Sequence, residues 1–433
     1  MSAFKPLYFE SLEDKNVAQI ILEYLKLEGV THIFGIPGGG LKQLLQELRL
    51  QDKTFNYVIC RQESGAAYMA DGYHRVTGKL AVVMVTSGPG ATNALSGSMN
   101  AQADHSAMLI ITGEVPEEFV GMGYLQEGIA GGLKMDALYR NAVQYSQLIS
   151  SADNLHTLIS QALRDAMGLP RRAAHLSLPN SVSASVPTKA VAMPKSPENY
   201  RAPQIPRSPD QVEQAFDMLM KAKRPLIFLG NGNRFTLQNT DIAAGKHIDR
   251  LDRFKEFVTK FAIPVMTTPD GKGLFPESHP MSLRTFGLAS CEWSFLYMNG
   301  EGKQKHDALM VIGSTLGELA TRKWDPILVP DGPLIQVDAD HAVIGRAFPF
   351  ELGIVSDSGV AIDHLCELGE KTEPNEHVEP RREFIEHIQE NHSAYLHPEK
   401  RDSNDVPILP QAMSRIVNDA LPKDGCHIFI DGG

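Results

Sequence analysis

The chain has 433 residues, 41 Lys+Arg against 52 Asp+Glu, and a net charge of −11. That length supplies material for about three domains, and the acidic balance lacks the basic footprint of a non-specific nucleic-acid binder. Hydrophobic content of 42% with 21% charged residues is globular rather than disordered composition.

From the N-terminus, the opening MSAFKPLYFESLEDKN is mixed and charged, so no secretory leader is read there. Nor does any apolar run reach the roughly 18 residues of a membrane span. The four cysteines, Cys60, Cys291, Cys366 and Cys426, are far apart and form no metal or redox spacing. A cytoplasmic setting with reduced thiols is expected. Val17, Ile20, Ile21, Tyr24 and Leu25 recur at helical spacing, with Asp14 as the expected N-cap and Gly29 at the end. Val30 to Phe34 reads as a strand entering the loop Gly35-Ile36-Pro37-Gly38-Gly39-Gly40. A helix is expected from about Ser64 to Thr77, closed by Gly78. The next run, Leu80 to Thr86, is apolar on both alternating faces, as is Ala107 to Thr112, with Ala174 to Leu178 a shorter case. Strands apolar on both faces need cover on both sides, which is the mark of a parallel, doubly wound α/β sheet.

Six prolines between Pro187 and Pro209 exclude helix and central strand. A second α/β unit follows, with a helix near 210–222, strand Pro225 to Leu229, helix 251–261 and strand Ile263 to Thr267. Strands at Ala308 to Ile312, Leu334 to Val337 and Gly353 to Val355 complete it. Residues 370–409 are rich in charge and proline and read as a second linker carrying one helix near 380–392. A helix from Pro410 through Leu421 then leads to His427-Ile428-Phe429-Ile430-Asp431-Gly432-Gly433, which reads as the first strand of a third α/β domain. The expected organisation is therefore a domain over 1–182, a linker over 183–209, a Rossmann-like domain over 210–369, a linker over 370–409, and the start of a third domain over 410–433.

Several segments carry polar groups at strand ends. Ser87-Gly88-Pro89-Gly90-Ala91-Thr92-Asn93 follows a buried strand and opens a helix, so its free N–H groups could meet an anion or simply turn the chain. It lacks the Lys-Ser/Thr of a phosphate loop, and Asn93 stands where a dinucleotide fingerprint has its third glycine. Glu63 lies at the start of a helix rich in small residues (Gly65, Ala66, Ala67, Ala70, Gly72), where a carboxylate also suits the macrodipole. Gly230-Asn231-Gly232 half-matches a nucleotide-binding turn. His377, His387, His392 and His397 sit in the charged 370–409 segment, with Glu383 four residues before His387. They read as solvated, and no metal ligand is assigned.

In order and spacing, these segments resemble the thiamine-diphosphate-dependent enzymes of the acetolactate synthase group. The resemblance rests on Phe34 to Gly39, Arg61 to Tyr73, Thr77-Gly78-Lys79, Thr86 to Asn93, Ile111 to Pro116, Gln126-Glu127 and His175 to Pro179. It continues through Gly271 to Pro276, His279-Pro280 and Val337 to Asp340.

The resemblance implies an N-terminal domain that binds the aminopyrimidine of thiamine diphosphate, a Rossmann-like central domain, and a C-terminal domain that holds the diphosphate through Mg²⁺. It implies a 2-keto acid decarboxylase or carboligase whose site forms between two copies of the chain, as a dimer or dimer of dimers. Glu63 matches the family's catalytic glutamate, whose hydrogen bond to the aminopyrimidine ring nitrogen favours the imino tautomer. Pro37, Gly38, Gly39, Thr86, Gly88, Pro89, Asn93 and Gln126 match cofactor-side positions. Departures accompany the matches. Gln62 stands where relatives often carry His, and Leu125 where they often carry Phe, which would alter the walls of the acyl pocket. Thr315 replaces an arginine of the FAD-containing members, and Gly287 alone matches their glycine–methionine–histidine–glycine stretch, so FAD is not expected. The ligands of Mg²⁺ and diphosphate belong to the third domain, so the chain reads as cut short there and, alone, as inactive. The alternative reading is a catalytically silent binding or regulatory protein that keeps the first two domains.

Overall fold

The computed structural model describes residues 8–11, 14–128, 134–188, 192–202, 208–241, 246–302, 304–422 and 424–428. Two compact units emerge, Met1–Pro206 with Thr240–His247, and Arg207–Asn239 with Ile248–Gly433.

In the first unit, strands β1 (Tyr8–Ser11) to β8 (Ala192–Pro194) alternate with seven helices. The central strands are β2 (His32–Gly35), β3 (Asn56–Ile59), β4 (Ala81–Val85), β5 (Met108–Glu114), β6 (Tyr145–Leu148) and β7 (Ala173–Pro179). They form one parallel sheet in the order β3-β2-β4-β5-β7-β6. Every residue of β4 and β5 is buried. Their period of two sends Val82, Met84, Leu109 and Ile111 to one face, where α1 (Val17–Leu27), α2 (Lys42–Arg49) and α6 (Leu155–Met167) pack. Ala81, Val83, Val85, Met108 and Ile110 face α3 (Glu63–Thr77), α4 (Pro89–Ala103) and α5 (Met135–Arg140). Helix α7 (Asn180–Ala184) follows β7, and β1 pairs antiparallel with β8. The two-faced cover is the doubly wound arrangement that the apolar strands require.

The helix ends follow their capping chemistry, with one correction. Asn16, not Asp14, caps α1: its side chain accepts from Gln19 N at 2.9 Å, and Gln19 Oε1 accepts from Asn16 N at 3.0 Å. Asp14 instead takes a left-handed φ of 65° before the cap. Gly78 closes α3 at φ 69°, where a side chain would be strained. Helices α3 and α4 touch through small residues, since a side chain at Gly97 would come within 2.5 Å of the Ala67 methyl. Asp71 of α3 accepts from Arg75 and from Asn100 Nδ2 of α4 at 2.8 Å.

The second unit repeats the design. Strands β9 (Pro225–Leu229), β12 (Val265–Thr267), β13 (Ser282–Thr285), β14 (Ala308–Ile312), β15 (Leu334–Asp338) and β16 (Leu352–Val355) form a parallel sheet in the order β13-β12-β9-β14-β15-β16. Between β9 and β12 in sequence lies a short antiparallel pair, β10 (Thr240–Asp241) with β11 (Lys246–His247). The helices are α8 (Pro209–Lys221), α9 (Arg250–Lys260), α10 (Glu292–Asn299), α11 (Glu318–Thr321), α12 (Ser358–Lys371), α13 (Val378–Asn391) and α14 (Pro410–Ala420).

The expected solvated linker over 370–409 is corrected. Within it, α13 buries Val378, Arg381, Ile385 and Ile388 in the second unit's core. The Arg381 guanidinium donates to the carbonyls of Leu219, Met220, Ala222 and Phe261, so a charged side chain closes the ends of two neighbouring helices. The expected strand in the segment His427 to Gly433 is not formed at His427 and Ile428, and its remainder lies outside the described residues. Among the described residues no helix is long and apolar enough to cross a membrane.

Candidate functional site

The sheet of the first unit reverses its winding between β2 and β4. From β2 the chain turns towards α2 on one face, and from β4 towards α4 on the other. In an open parallel sheet, a crevice opens at the carboxyl ends of the strands where successive connections diverge in this way. The glycine loops sit at that point. Gly35 must lack a side chain because a Cβ there would overlap the Met84 carbonyl oxygen at 1.8 Å. Gly38, in extended backbone, lies on Thr86, and a Cβ would come within 2.4 Å of the Thr86 Cβ.

On the β4 side, Gly88 caps α4 at φ 56° and Pro89 fills the first turn, where no N–H is needed. A Cβ on Gly88 would come within 2.8 Å of the Gln126 carbonyl oxygen, so the Gln126 backbone, itself at φ 62°, lies against this turn. Glu63 is the first residue of α3, and Asn93 Nδ2 of α4 donates to its Oε2 at 3.1 Å. The other oxygen, Oε1, lies 3.6 Å from where a Gly90 Cβ would be. Gly38, Thr86, Gly88, Asn93, Glu63 and Gln126 thus converge on the end of one crevice, though they come from four sequence segments. Pro37 and Gly39 lie exposed beside it. The Thr86 Oγ1 is buried and has no hydrogen-bond partner among the described residues.

Sequence reasoning missed the functional interest of Glu114. It ends β5 fully buried, accepting from Gly128 N at 3.3 Å and from Ser177 Oγ at 3.4 Å. Burial pushes its carboxyl up to about 7, against the hydrogen bonds that pull it down. Its place beside Gly128 ties the segment that carries Gln126 to the sheet. The signal available was an acid ending an otherwise apolar strand. Nearby in β7, His175 stacks on Tyr139 at 3.9 Å and bonds Thr112 and Ser146, and burial holds its imidazole down at about 3. That cluster is buried, and its polar groups are spent on one another.

The equivalent edge of the second unit is closed. Its winding reverses between β9 and β14, where Gly230 and Gly232 follow one strand and Gly313 the other. Buried Asn233 donates from Nδ2 to the Gly230 carbonyl at 3.0 Å and to the Ile312 carbonyl at 2.7 Å, and Gly232 N donates to Gly313 O at 2.9 Å. The half-match to a nucleotide turn at Gly230 therefore spends these groups on its neighbours. Beside it, Asn231, Arg234, Gln238, Asp270 and Lys272 bound an open depression of about 410 Å³.

The chain matches two family profiles. Residues 15–134 match the thiamine pyrophosphate enzyme N-terminal TPP binding domain, and residues 212–365 match the central domain of the same enzymes. It is 30% identical over 343 residues to an acetolactate synthase of Arthrospira platensis, covering 78% of this chain and 55% of that protein. It is 26% identical over 428 residues to the mitochondrial acetolactate synthase catalytic subunit of Saccharomyces cerevisiae, covering 96% of this chain and 58% of that one. The chain thus spans between half and two thirds of the length of these curated relatives. The fold is similar to that in the X-ray structure of a protein from Mycobacterium smegmatis, provisionally assigned as a thiamin diphosphate-dependent enzyme. The TM-score is 0.67 at 23% identity, over 84% of this chain and 64% of that one. Two six-stranded parallel sheets and two matched domains lead to one conclusion: the chain belongs to the thiamine pyrophosphate-dependent enzyme family, in its acetolactate synthase-like group.

Proposed function

We propose that the chain contributes the pyrimidine-binding side of a thiamine-diphosphate-dependent 2-keto acid decarboxylase or carboligase, with Glu63 as its activating carboxylate. The observation that carries this reading is the placing of Glu63 at the head of α3, held through Oε2 by Asn93 and leaving Oε1 beside the side-chain-free Gly90. The crevice fits the cofactor on two further counts. Gly38 and Gly90 both leave room that a Cβ would fill beside Thr86, and the buried Thr86 hydroxyl has an unmet hydrogen bond.

When bound, thiamine diphosphate supplies the electron sink for cleavage beside a keto group. The chain's part is orientation and proton control. Glu63 is assigned to hold a proton between Oε1 and the pyrimidine ring nitrogen, a positioned acid–base contact of the kind that contributes about 10²–10⁴ in rate. Asn93 fixes the carboxylate's rotamer. Gly38 and Gly88 are proposed to let backbone approach the ligand closely, and exposed Gln126, whose backbone lies against Gly88, is proposed to meet the substrate. No residue here is assigned to Mg²⁺ or the diphosphate, whose ligands are proposed to lie elsewhere in the working enzyme. A second copy of the chain is proposed as the partner, because Tyr68, Met69 and Met99 leave apolar surface exposed on α3 and α4.

The test compares wild type with Glu63→Gln in the full-length protein, supplied with thiamine diphosphate, Mg²⁺ and pyruvate or other 2-keto acids. CO₂ release and condensation product are followed. Wild-type turnover with severe loss in the variant is expected. Equal turnover in both would remove Glu63 from the mechanism. Cofactor binding without turnover on any 2-keto acid would favour the silent reading.

A further inference from the structure

The histidines that read as solvated in sequence acquire a partner in the fold. His387 lies one turn before the end of α13, and His392 is its C-cap, in extended backbone at φ −131° and ψ 142°. Leaving the helix at that residue lets the second imidazole return towards the first, and the two rings lie 6.4 Å apart. Between them stands Glu301, far away in sequence. Its Oε1 is 2.7 Å from His392 Nε2, and its Oε2 is 3.4 Å from His387 Nε2. The three ligand atoms lie within 4.8 Å of one another.

The backbone on both sides is tied down. Glu301 sits at φ 51° in the turn Gly300-Glu301-Gly302 that closes α10. The start of α10 is joined to the chain just beyond His392: Trp293 Nε1 donates to His392 O, and Glu292 N donates to Ala394 O, both at 2.9 Å. The carboxylate is mostly covered, while the imidazoles are open to solvent. Arg224, packed against Gly300, donates its hydrogen bond to the Tyr297 carbonyl and forms no ion pair with Glu301 among the described residues.

From this juxtaposition we propose that Glu301, His387 and His392 form a binding site for one borderline divalent cation of the Zn²⁺, Co²⁺ or Ni²⁺ class. Two imidazole nitrogens and one carboxylate, with positions left for water, suit such ions rather than the all-oxygen shells of Mg²⁺ and Ca²⁺. Ligand bonds of about 2.0–2.1 Å put the ligand atoms of a tetrahedral site about 3.3 Å apart. The Glu301–His387 separation already matches. The Glu301–His392 separation needs to open by roughly 0.6 Å, within reach of side-chain rotation. Without the ion, each neutral imidazole can donate its Nε2–H to the carboxylate. The ion replaces those contacts and shifts the ring proton to Nδ1, and an excess proton leaves to solvent if a ring was charged. Asn391 Nδ2 donates to the His387 carbonyl at 2.9 Å and lies 3.1 Å from His387 Nδ1; ion binding gives up the second contact, and Nδ1–H turns to water. The bound ion would clip the end of α13 to the turn after α10.

The experiment titrates the chelator-treated 433-residue chain with Co²⁺, followed by its visible absorption, then with Zn²⁺ in competition. One saturating Co²⁺ band, removed by one equivalent of Zn²⁺ and unmoved by excess Mg²⁺, is the expected result. His387→Ala, Glu301→Gln and His392→Ala should each weaken Co²⁺ binding at least tenfold, and His377→Ala should not. Because His387 is exposed, its removal leaves the core intact, and circular dichroism of that variant guards against misfolding. No saturable band, displacement by Mg²⁺, or unchanged affinity in His387→Ala would overturn the site.

Discussion

The two sheets of this chain each hold six parallel strands and one reversal point, in different strand orders, and they use that point differently. In the first unit the crevice between β2 and β4 keeps polar groups in reserve: a carboxylate oxygen at Glu63 beside Gly90, and a buried Thr86 hydroxyl without a partner. In the second, the crevice between β9 and β14 is filled from within by Asn233, whose Nδ2 serves two backbone carbonyls while its buried Oδ1 has no partner among the described residues. A fold satisfies its own polar groups wherever it can, because each buried unmet one costs about 1–3 kcal/mol. An unmet group that stands beside a free carboxylate oxygen and side-chain-free backbone, as Thr86 does, is the one to examine for a ligand.

The largest effect that sharpens this contrast is on catalysis. Glu63→Gln should lower 2-keto acid turnover by about 100-fold or more, while thermal unfolding of the ligand-free protein moves by no more than about 0.5 kcal/mol, as for a surface change. In the second unit the balance should invert. Asn233→Ala removes the second donor to two buried carbonyls, which keep the backbone N–H groups of residue 233 and Gly230, and should cost about 1–2 kcal/mol in denaturant unfolding, leaving turnover per folded molecule unchanged. A large stability loss from the Glu63 change, or a stable Asn233 variant, would break the contrast.

A third effect depends on pH. Glu114 titrates at about 7 in the fold, above its ordinary value of 4.5, because burial disfavours its charge. The folded state therefore binds more protons than the unfolded one between these values, so this residue's contribution falls as pH rises through that window and is lowest above it. Buried His74, His175 and His306 are held down at about 4, 3 and 4 and act in the other sense, weakening the fold as pH drops below 6.5. The difference between wild type and Glu114→Gln isolates the carboxyl. The variant should gain on the order of 2 kcal/mol relative to wild type at pH 8, with little difference near pH 4.5. A parallel offset at all pH values would mean that Glu114 does not titrate in this range.

Much of the architecture was legible because β4, β5, β9 and β14 are short apolar runs that can only be central strands, and because Gly78 marks a helix end. The crevice was legible in pieces: Gly38, Glu63 and Gly88 stand at strand ends, but nothing in local spacing says that Asn93 reaches Glu63. Charge hid other features. Helix α13 looked solvated because Arg381 interrupts the stripe of Val378, Ile385 and Ile388, and only the fold shows its guanidinium spent on four carbonyls. Glu383, four residues before His387, gave the sequence no ligand set; the fold brings Glu301 to His387 and His392, across a separation no periodicity reveals.

The smallest effect separates the two crevices most directly. Thr86→Val exchanges the unpaired hydroxyl for a methyl of nearly the same shape. If the first crevice holds that hydroxyl in reserve, the variant should be more stable than wild type without ligand, by about 1 kcal/mol, because an unmet buried group has been removed. The same change should weaken thiamine diphosphate binding several-fold, since the ligand-bound state loses a contact. Calorimetric titration beside thermal melts reads both numbers. Opposite signs in stability and affinity are the signature of a group kept for a ligand. A loss of stability would mean that the hydroxyl is already satisfied by the fold, as the Asn233 Nδ2 is, and the two edges would then differ in shape alone.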